Sequence, residues 1–323
     1  MSERANGAFG GGEGGNLFVH FTSEKNGASR PSDEEQVYFA LSRDGLRWRD
    51  LSDAPVLVSH IGDRGVRDPF PVRDPGTGKV YIIATDLCTT GGTSWEKAQF
   101  AGSRDIIVWE SEDLIRWSEE RAVTVGVPEA GCVWAPEAVF EPESGAFFVF
   151  FASMVADPGE TPKQRIYACR TRDFRSFTEP FLWIERPGHI IDTTVFERDG
   201  AFFRISGDDA THRLLFETAD SLTGNWTAIE SETLAGLPGV EGPETYVLHD
   251  GETLCLIADR FAAGLGYLPM VTKSPGREDF RILDPGEYDM GKSKKRHGGV
   301  LRISEEEYAR LTRHYAPTDN GER

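Results

Sequence analysis

Asp68, Glu137, Asp192, Glu241 and His297 are the residues of this chain whose types and placing suit proton-transfer chemistry. Carboxyl and imidazole groups are the side chains that most often give and take protons near neutral pH, provided their surroundings tune them. These five lie far apart in sequence, yet each heads a copy of one recurring phrase. The copies are RDPFPV (67–72) with KVYIIATD (79–86), WAPEAVF (134–140) with AFFVFFAS (146–153), IDTTVF (191–196) with AFFRISGD (201–208), EGPETYV (241–247) with TLCLIAD (253–259), and a partnerless RHGGVLRIS (296–304). Residues at equivalent places in a repeat converge if the repeats are arranged radially.

Each copy reads as a polar head, a β-rich run, a Gly/Asp turn and a second β-rich run, which is a hairpin signature. A second phrase keeps step with the first: SRDGLRW (42–48), SEDLIRW (111–117), TRDFRSF (171–177) and the looser TADSLTGNW (218–226) and TKSPGREDF (272–280). Following runs such as VYFAL, IIVWE and RIYACR, it predicts the turn between a third and a fourth strand. Five hairpins, each followed by strand, turn and strand, predict an all-β chain folded as a five-bladed β-propeller. A β-sandwich also has many short strands but does not need two phrases repeating in phase.

The asymmetry of the repeats predicts how the ring closes. The first repeat opens with NLFVHFT (16–22) and lacks a headed inner strand, while RHGGVLRIS has a head and no partner. The two are expected to pair, so that N- and C-terminal strands share one blade and no sheet edge is left open. Ser304 and Glu307 in SEEEYARL have capping-box spacing and predict a short helix outside the ring. One domain is expected over 16–315, with a disordered Gly-rich lead-in at 1–15 and a disordered polar tail at 316–323.

Composition narrows the function. With 53 acidic and 35 basic side chains the formal charge is −18, which repels phosphate backbones and anionic membrane surfaces and favours a neutral ligand such as carbohydrate. The polybasic KSKKR (292–296) is the local exception and reads as a solvated loop before the last strand. Cys88, Cys132, Cys169 and Cys255 lie in separate β-rich runs without metal-ligand spacing and read as buried free thiols. No P-loop or dinucleotide fingerprint is present, so no cofactor is expected. The start MSERANGAFG has neither the basic nor the apolar region of a secretory signal and no stretch approaches a membrane span, so a cytoplasmic protein is expected, with no membrane, nucleic-acid or protein partner implied.

The ordered set RDPF, WAPE, IDTT, EGPE and RHGGV resembles the motifs of glycoside hydrolase family 43, and the resemblance runs from about Asn16 to Ile303. That family consists of five-bladed propellers that cleave arabinofuranosyl and xylosyl linkages with inversion. Matched motif by motif, the resemblance implies Asp68 as general base, Asp192 as the residue that orients and tunes the acid, and Glu241 as general acid. The first motif is usually Ala-Asp-Pro-Ser and here reads Arg-Asp-Pro-Phe, and the WAP motif commonly continues with Asp where this chain has Glu137. In the family an equivalent of His297 lies beneath the active site and in some members helps hold calcium, partly through water; a buried, hydrogen-bonded histidine is the other reading.

The physics of such a reaction agrees with the assignment. Inversion needs a carboxylate that activates water on one face of the sugar and a carboxylic acid that protonates the leaving oxygen on the other, roughly 6.5–9.5 Å apart. Asp68 and Glu241 come from different repeats, so they can stand across a central depression. Glu241 must then hold a proton near neutrality, which Asp192 would promote by like-charge repulsion. Arg67 stands beside Asp68, but strand alternation points it to the opposite face. Further candidates for the substrate rim are Trp134, which either stacks on a sugar face or joins the core, Asp86, which lines the rim or caps a strand, and Arg260 with Tyr267, which donate to sugar hydroxyls or hold their own loop. The expected function is an exo-acting α-L-arabinofuranosidase on short arabinose-containing oligosaccharides. The alternatives are a β-xylosidase, a retaining fructan-type hydrolase, for which the first repeat lacks the Asn-Asp-Pro triplet, and an inactive carbohydrate-binding propeller.

Overall fold

A computed structural model describes residues 14–22, 31–156 and 159–315. Among the described residues twenty strands form five four-stranded antiparallel sheets. Blade one contains β1 (Gly15–His20), β2 (Tyr38–Ser42) and β3 (Arg49–Asp50); blade two β4 (Val66–Arg73), β5 (Val80–Asp86), β6 (Asp105–Ser111) and β7 (Arg121–Thr124). Blade three is β8 (Trp134–Glu141), β9 (Ala146–Val155), β10 (Lys163–Thr171) and β11 (Phe181–Ile184). Blade four is β12 (Ile190–Arg198), β13 (Ala201–Asp208), β14 (Arg213–Ala219) and β15 (Thr227–Ala228), and blade five β16 (Glu241–Val247), β17 (Leu254–Asp259), β18 (Tyr267–Thr272) and β19 (Arg281–Ile282). β20 (Gly298–Ile303) then returns to blade one and pairs with β1 from Gly15↔Ile303 to His20↔Gly298. The strand expected to close the ring does so, and Gly15, expected in the lead-in, already belongs to β1. Residues 1–13 and 316–323, expected to be disordered, lie outside the described residues.

The five innermost strands β4, β8, β12, β16 and β20 touch in a closed cycle around the axis. Between them and the rim, apolar side chains of neighbouring blades interdigitate. At the closing seam Phe18, Trp48 and Val300 of blade one pack with Tyr246, Ile257 and Tyr267 of blade five. The second strand of a blade is covered on both faces, which is why VYIIATD and AFFVFFAS are near-continuous apolar runs; every residue of β5 and β9 is buried. Each large apolar side chain so buried contributes roughly 1.5–3 kcal/mol. The outermost strands β3, β15 and β19 have two residues each, short enough to leave little edge for another chain to pair with.

The repeated outer turn works by local hydrogen bonding, as Asp at such positions does. Asp44 accepts from the Leu46 and Arg47 amides, Asp113 from Ile115 and Arg116, and Asp173 from Arg175 and Ser176. Among the described residues three α-helices decorate the ring: α1 (Trp95–Phe100), α2 (Glu232–Ala235) and α3 (Glu305–His314). α3 has the capping box predicted for Ser304 and Glu307; it buries Leu311 against blades one and two, and Glu307 pairs with Arg73 at 2.9 Å.

Candidate active site

At the head of each of the four inner strands β4, β8, β12 and β16 the pairing register slips: between Arg67 and Phe70, Trp134 and Glu137, Ile191 and Thr194, Glu241 and Glu244. In every case the residue after the slip begins has a positive φ, 50° at Asp68, 45° at Ala135, 50° at Asp192 and 54° at Gly242. Non-glycine residues rarely adopt this conformation, which is strain held by the surrounding sheet. At Gly242 a side chain is excluded outright, because a Cβ there would lie 2.8 Å from the His297 ring.

The slip breaks the in–out alternation of a strand. Three successive depths of the axis are lined as a result. Nearest the mouth, and partly exposed, stand Arg67, Trp134, Ile191, Glu241 and Arg296; beneath them come Asp68, Asp192 and His297; deeper still, and buried, lie Glu137, Thr194 and Glu244. Arg67 is therefore not turned away from Asp68 as alternation implies. The bulge brings it to the mouth, where its charge helps keep Asp68 ionised.

His297 is the hub. Its Nδ1 lies 3.5 Å from Asp68 and 3.7 Å from Asp192, and its Nε2 lies 3.9 Å from Glu137. Burial favours the neutral ring, but Asp192, Asp68 and Glu137 outweigh it and lift the imidazole well above its ordinary range. Both ring nitrogens of His297 thus face carboxyl groups, two on one side and one on the other.

The carboxyl groups diverge in proton affinity. Burial opposes ionisation of Asp68, yet the bond and charge of His297, the charge of Arg67 and the Thr85 hydroxyl, 2.8 Å from Oδ2, hold it below the usual carboxylate range. Thr85 in turn accepts from the Ala135 amide, tying blade two to blade three. Asp192 is raised, first by burial and further by Asp68, although the Gly242 amide donates to it at 3.0 Å. Glu241 is pushed up to about 7 by burial, then by the charge of Asp192, with Arg296 opposing. Glu137 is pushed up to about 7 by burial against the pull of His297, and Glu244 rises well above its range for the same first reason, with Glu137 adding to it.

The remaining sequence candidates divide. Trp134 stands half-buried at the mouth, edge-on to Trp95. Asp86 ends β5 opposite Val66 and accepts from the Asp63 amide at 2.8 Å, so it shapes the turn at the rim. Arg260 donates to the carbonyls of Leu265, Gly266 and Tyr267 in its own loop, and Tyr267 is buried in the seam between blades five and one. The KSKKR run is the solvated loop expected only at its start, where Lys292 is exposed. Lys295 is fully buried and bonds Asp50 at 2.7 Å, and Arg296 bridges Glu241, at 2.7 Å, to the buried Asp259.

Arg296, Glu244, Glu35 and Trp95 were passed over in the sequence. Glu244 had a signal, since EGPE aligned on WAPE puts it level with Glu137. Arg296 precedes the head His297 as Glu241 precedes Gly242, but a basic run masked it. Glu35 and Trp95 come from connections outside the repeats and had none.

Residues 13–309 match the profile of the glycosyl hydrolase 43-related family, described as "Probable glycosyl hydrolase domain". A protein of Bifidobacterium longum subsp. longum named alpha-L-arabinofuranosidase is 29% identical over 295 residues, the match covering 76% of this chain and 27% of that protein. The chain thus spans about a quarter of that relative's length. The alpha-L-arabinanase of Penicillium chrysogenum, solved with arabinobiose, superposes with a TM-score of 0.53 at 14% identity, over 81% of this chain and 75% of that one. An exo-beta-1,3-galactanase of Phanerochaete chrysosporium, solved with beta-1,3-galactotriose, does so with a TM-score of 0.59 at 12% identity, over 86% and 62%. At these identities the structural likeness is one of fold.

Proposed function

This chain belongs to the glycosyl hydrolase 43-related family, and we propose that it hydrolyses glycosidic bonds with inversion, releasing α-L-arabinofuranosyl units from the ends of short arabinose-containing oligosaccharides. The observation that carries the reading is the unlike placing of two carboxyls of different blades, Asp68 against His297 at 3.5 Å and Thr85 at 2.8 Å and Glu241 against Arg296 at 2.7 Å, surroundings that hold the first low and leave the second raised to about 7. Environments that push two carboxyls apart in this way assign the base and the acid.

In the reaction Asp68 takes a proton from water as the water oxygen bonds to the anomeric carbon. Glu241 gives its proton to the glycosidic oxygen as that bond breaks, and both groups return to their starting states by exchange with solvent. Burial, and after it the charge of Asp192, keep Glu241 protonated beforehand, and Arg296 steadies the carboxylate that forms. His297 holds Asp68 and Asp192 in place and balances their charge from below.

The sugar is proposed on the likeness to the protein named alpha-L-arabinofuranosidase, which is 29% identical over 295 residues. The test is a panel of nitrophenyl α-L-arabinofuranoside, β-xyloside and β-galactoside, followed by NMR of the first product on the substrate that reacts. The inverted anomer at first appearance is expected. Retained configuration overturns the roles of Asp68 and Glu241, a preference for another glycoside overturns the sugar, and binding without turnover overturns the enzyme reading altogether.

A further inference from the structure

The mouth above the carboxylates is walled by the connections that join the second strand of each blade to its third, and these are unequal. In blade four the connection is the tight turn 209–212, whereas in blade two residues 87–104 carry α1, whose Trp95 meets Trp134 at the head of β8. Trp95, the first residue of that helix, is 52% exposed. Its ring meets Trp134 edge-on, centroids 6.2 Å apart and planes at 81°. Behind it the Arg67 guanidinium lies 5.1 Å from the ring centre and 4.6 Å from that of Phe21.

The exposed ring is firmly held. Glu35, buried, accepts from Arg67 at 2.9 Å, and also from the Thr89 hydroxyl and the Thr90 amide and hydroxyl at the start of the same connection. One carboxylate thus fixes both the guanidinium behind Trp95 and the segment that bears it. Ser94 caps α1 by accepting from the Lys97 amide, Ala98 is buried, and the Gly102 amide bonds the Gly131 carbonyl between blades two and three. An aromatic face left open and placed by this many contacts is a rigid surface against which a flat apolar face can lie at little further ordering cost.

We infer that Trp95 is the stacking platform for the sugar on the leaving-group side of the scissile bond, and so sets which leaving groups the enzyme accepts. The inference rests on the proposed hydrolytic reading of the same site. Trp134, at the strand head beside the carboxylates, lines the place of the sugar that is cleaved off; Trp95, one ring further out and turned nearly perpendicular, meets the next unit. The unit it takes is a neutral sugar ring presenting its C–H face. The Arg67 charge is matched by Glu35, and an acidic chain repels anionic units.

The test compares Trp95→Ala and Trp95→Phe with wild type on the methyl glycoside and the trisaccharide of whichever sugar is cleaved, α-L-arabinofuranosyl first. Loss of one stacked ring predicts that Trp95→Ala lowers kcat/KM on the trisaccharide about 3- to 10-fold more than on the methyl glycoside, with Trp95→Phe restoring most of the difference. Equal losses on both substrates, or none on the trisaccharide, overturn the assignment. Should wild type cleave nothing, the hydrolytic reading fails instead. Calorimetric titration with neutral trisaccharides then decides the platform separately: weaker binding by Trp95→Ala supports it and equal binding overturns it.

Discussion

Replacing Glu137 by glutamine should make the protein less sensitive to alkali. Glu137 has its carboxyl raised from 4.5 to about 7 by burial, so between these values the folded chain keeps a proton that the unfolded chain has released. Stability then falls as pH rises, by about 1.36 kcal/mol per pH unit for each such group. For Glu137 the interval of about 2.5 units amounts to roughly 3 kcal/mol, a large share of the roughly 5–15 kcal/mol that keeps a domain folded. Glu241, also raised to about 7, acts in the same direction with a smaller weight because its side chain is 23% exposed. His297 does too: its contribution is whole below the ordinary histidine value of 6.5 and is lost as pH rises through its elevated folded value. Asp68, held low, has the opposite sign; its contribution is present above 3.8 and is lost only as pH falls through its folded value. Stability should therefore peak on the acid side of neutrality and decline from about pH 5 to pH 8. The Glu137→Gln protein keeps the shape of the side chain and removes one proton from this balance. It should stand close to wild type at pH 5 and exceed it by up to roughly 3 kcal/mol at pH 8. Urea unfolding followed by tryptophan fluorescence at pH 5, 6, 7 and 8, at constant ionic strength, measures the difference. Parallel pH dependences for the two proteins, or a steeper decline in the variant, would refute the reasoning.

The rate should show the same electrostatics from the other side. The alkaline limb of kcat/KM should lie near pH 7, where Glu241 loses its proton, and move downward in Asp192→Asn and upward in Arg296→Gln, as profiles from pH 4 to 9 will read. Asp68→Asn and Glu241→Gln should each lower turnover by about 10²–10⁴ or more with the circular dichroism of the fold intact; Glu241→Gln should be partly spared on nitrophenyl leaving groups and Asp68→Asn should not. Ending the chain before Arg296 removes β20, α3 and the Arg43–Glu305 and Arg73–Glu307 pairs, so gel filtration should show aggregate or unfolded chain. Ending it before Ala316 should leave the melting temperature and the activity unchanged.

The fold was legible because two phrases repeated in phase, and because second strands covered on both faces show as unbroken apolar runs. Closure was legible too, since one inner strand and one partner were each missing at opposite ends of the count. The site was read in part. Asp68, Asp192 and His297 share one place in the repeat, but Glu241 stands one residue earlier and Glu137 two later, so choosing one polar residue per head hid that the heads line three depths. Arg67 was misjudged by the two-residue period of a strand, a rule the bulge suspends at just that point. Lys295 and Arg296 were misjudged by local composition, which cannot report that Asp50, Asp259 and Glu241 wait on other strands. Trp95 belongs to a helix of six residues, too short for a period to show.

The pairing of β20 with β1 also governs when the site comes into being. Strand partners as remote in the chain as Gly15 and Ile303 meet late, because long loops must close before their contacts repay them. During synthesis four blades can form while β1 still lacks its inner neighbour, and in that open ring Asp68, Asp192 and Glu137 face one another with no imidazolium among them. Docking of the last strand supplies backbone bonds, an apolar seal and the missing positive charge in one event. A chain without β20 therefore lacks both the seal of blade one and the imidazole at the centre of the proposed site.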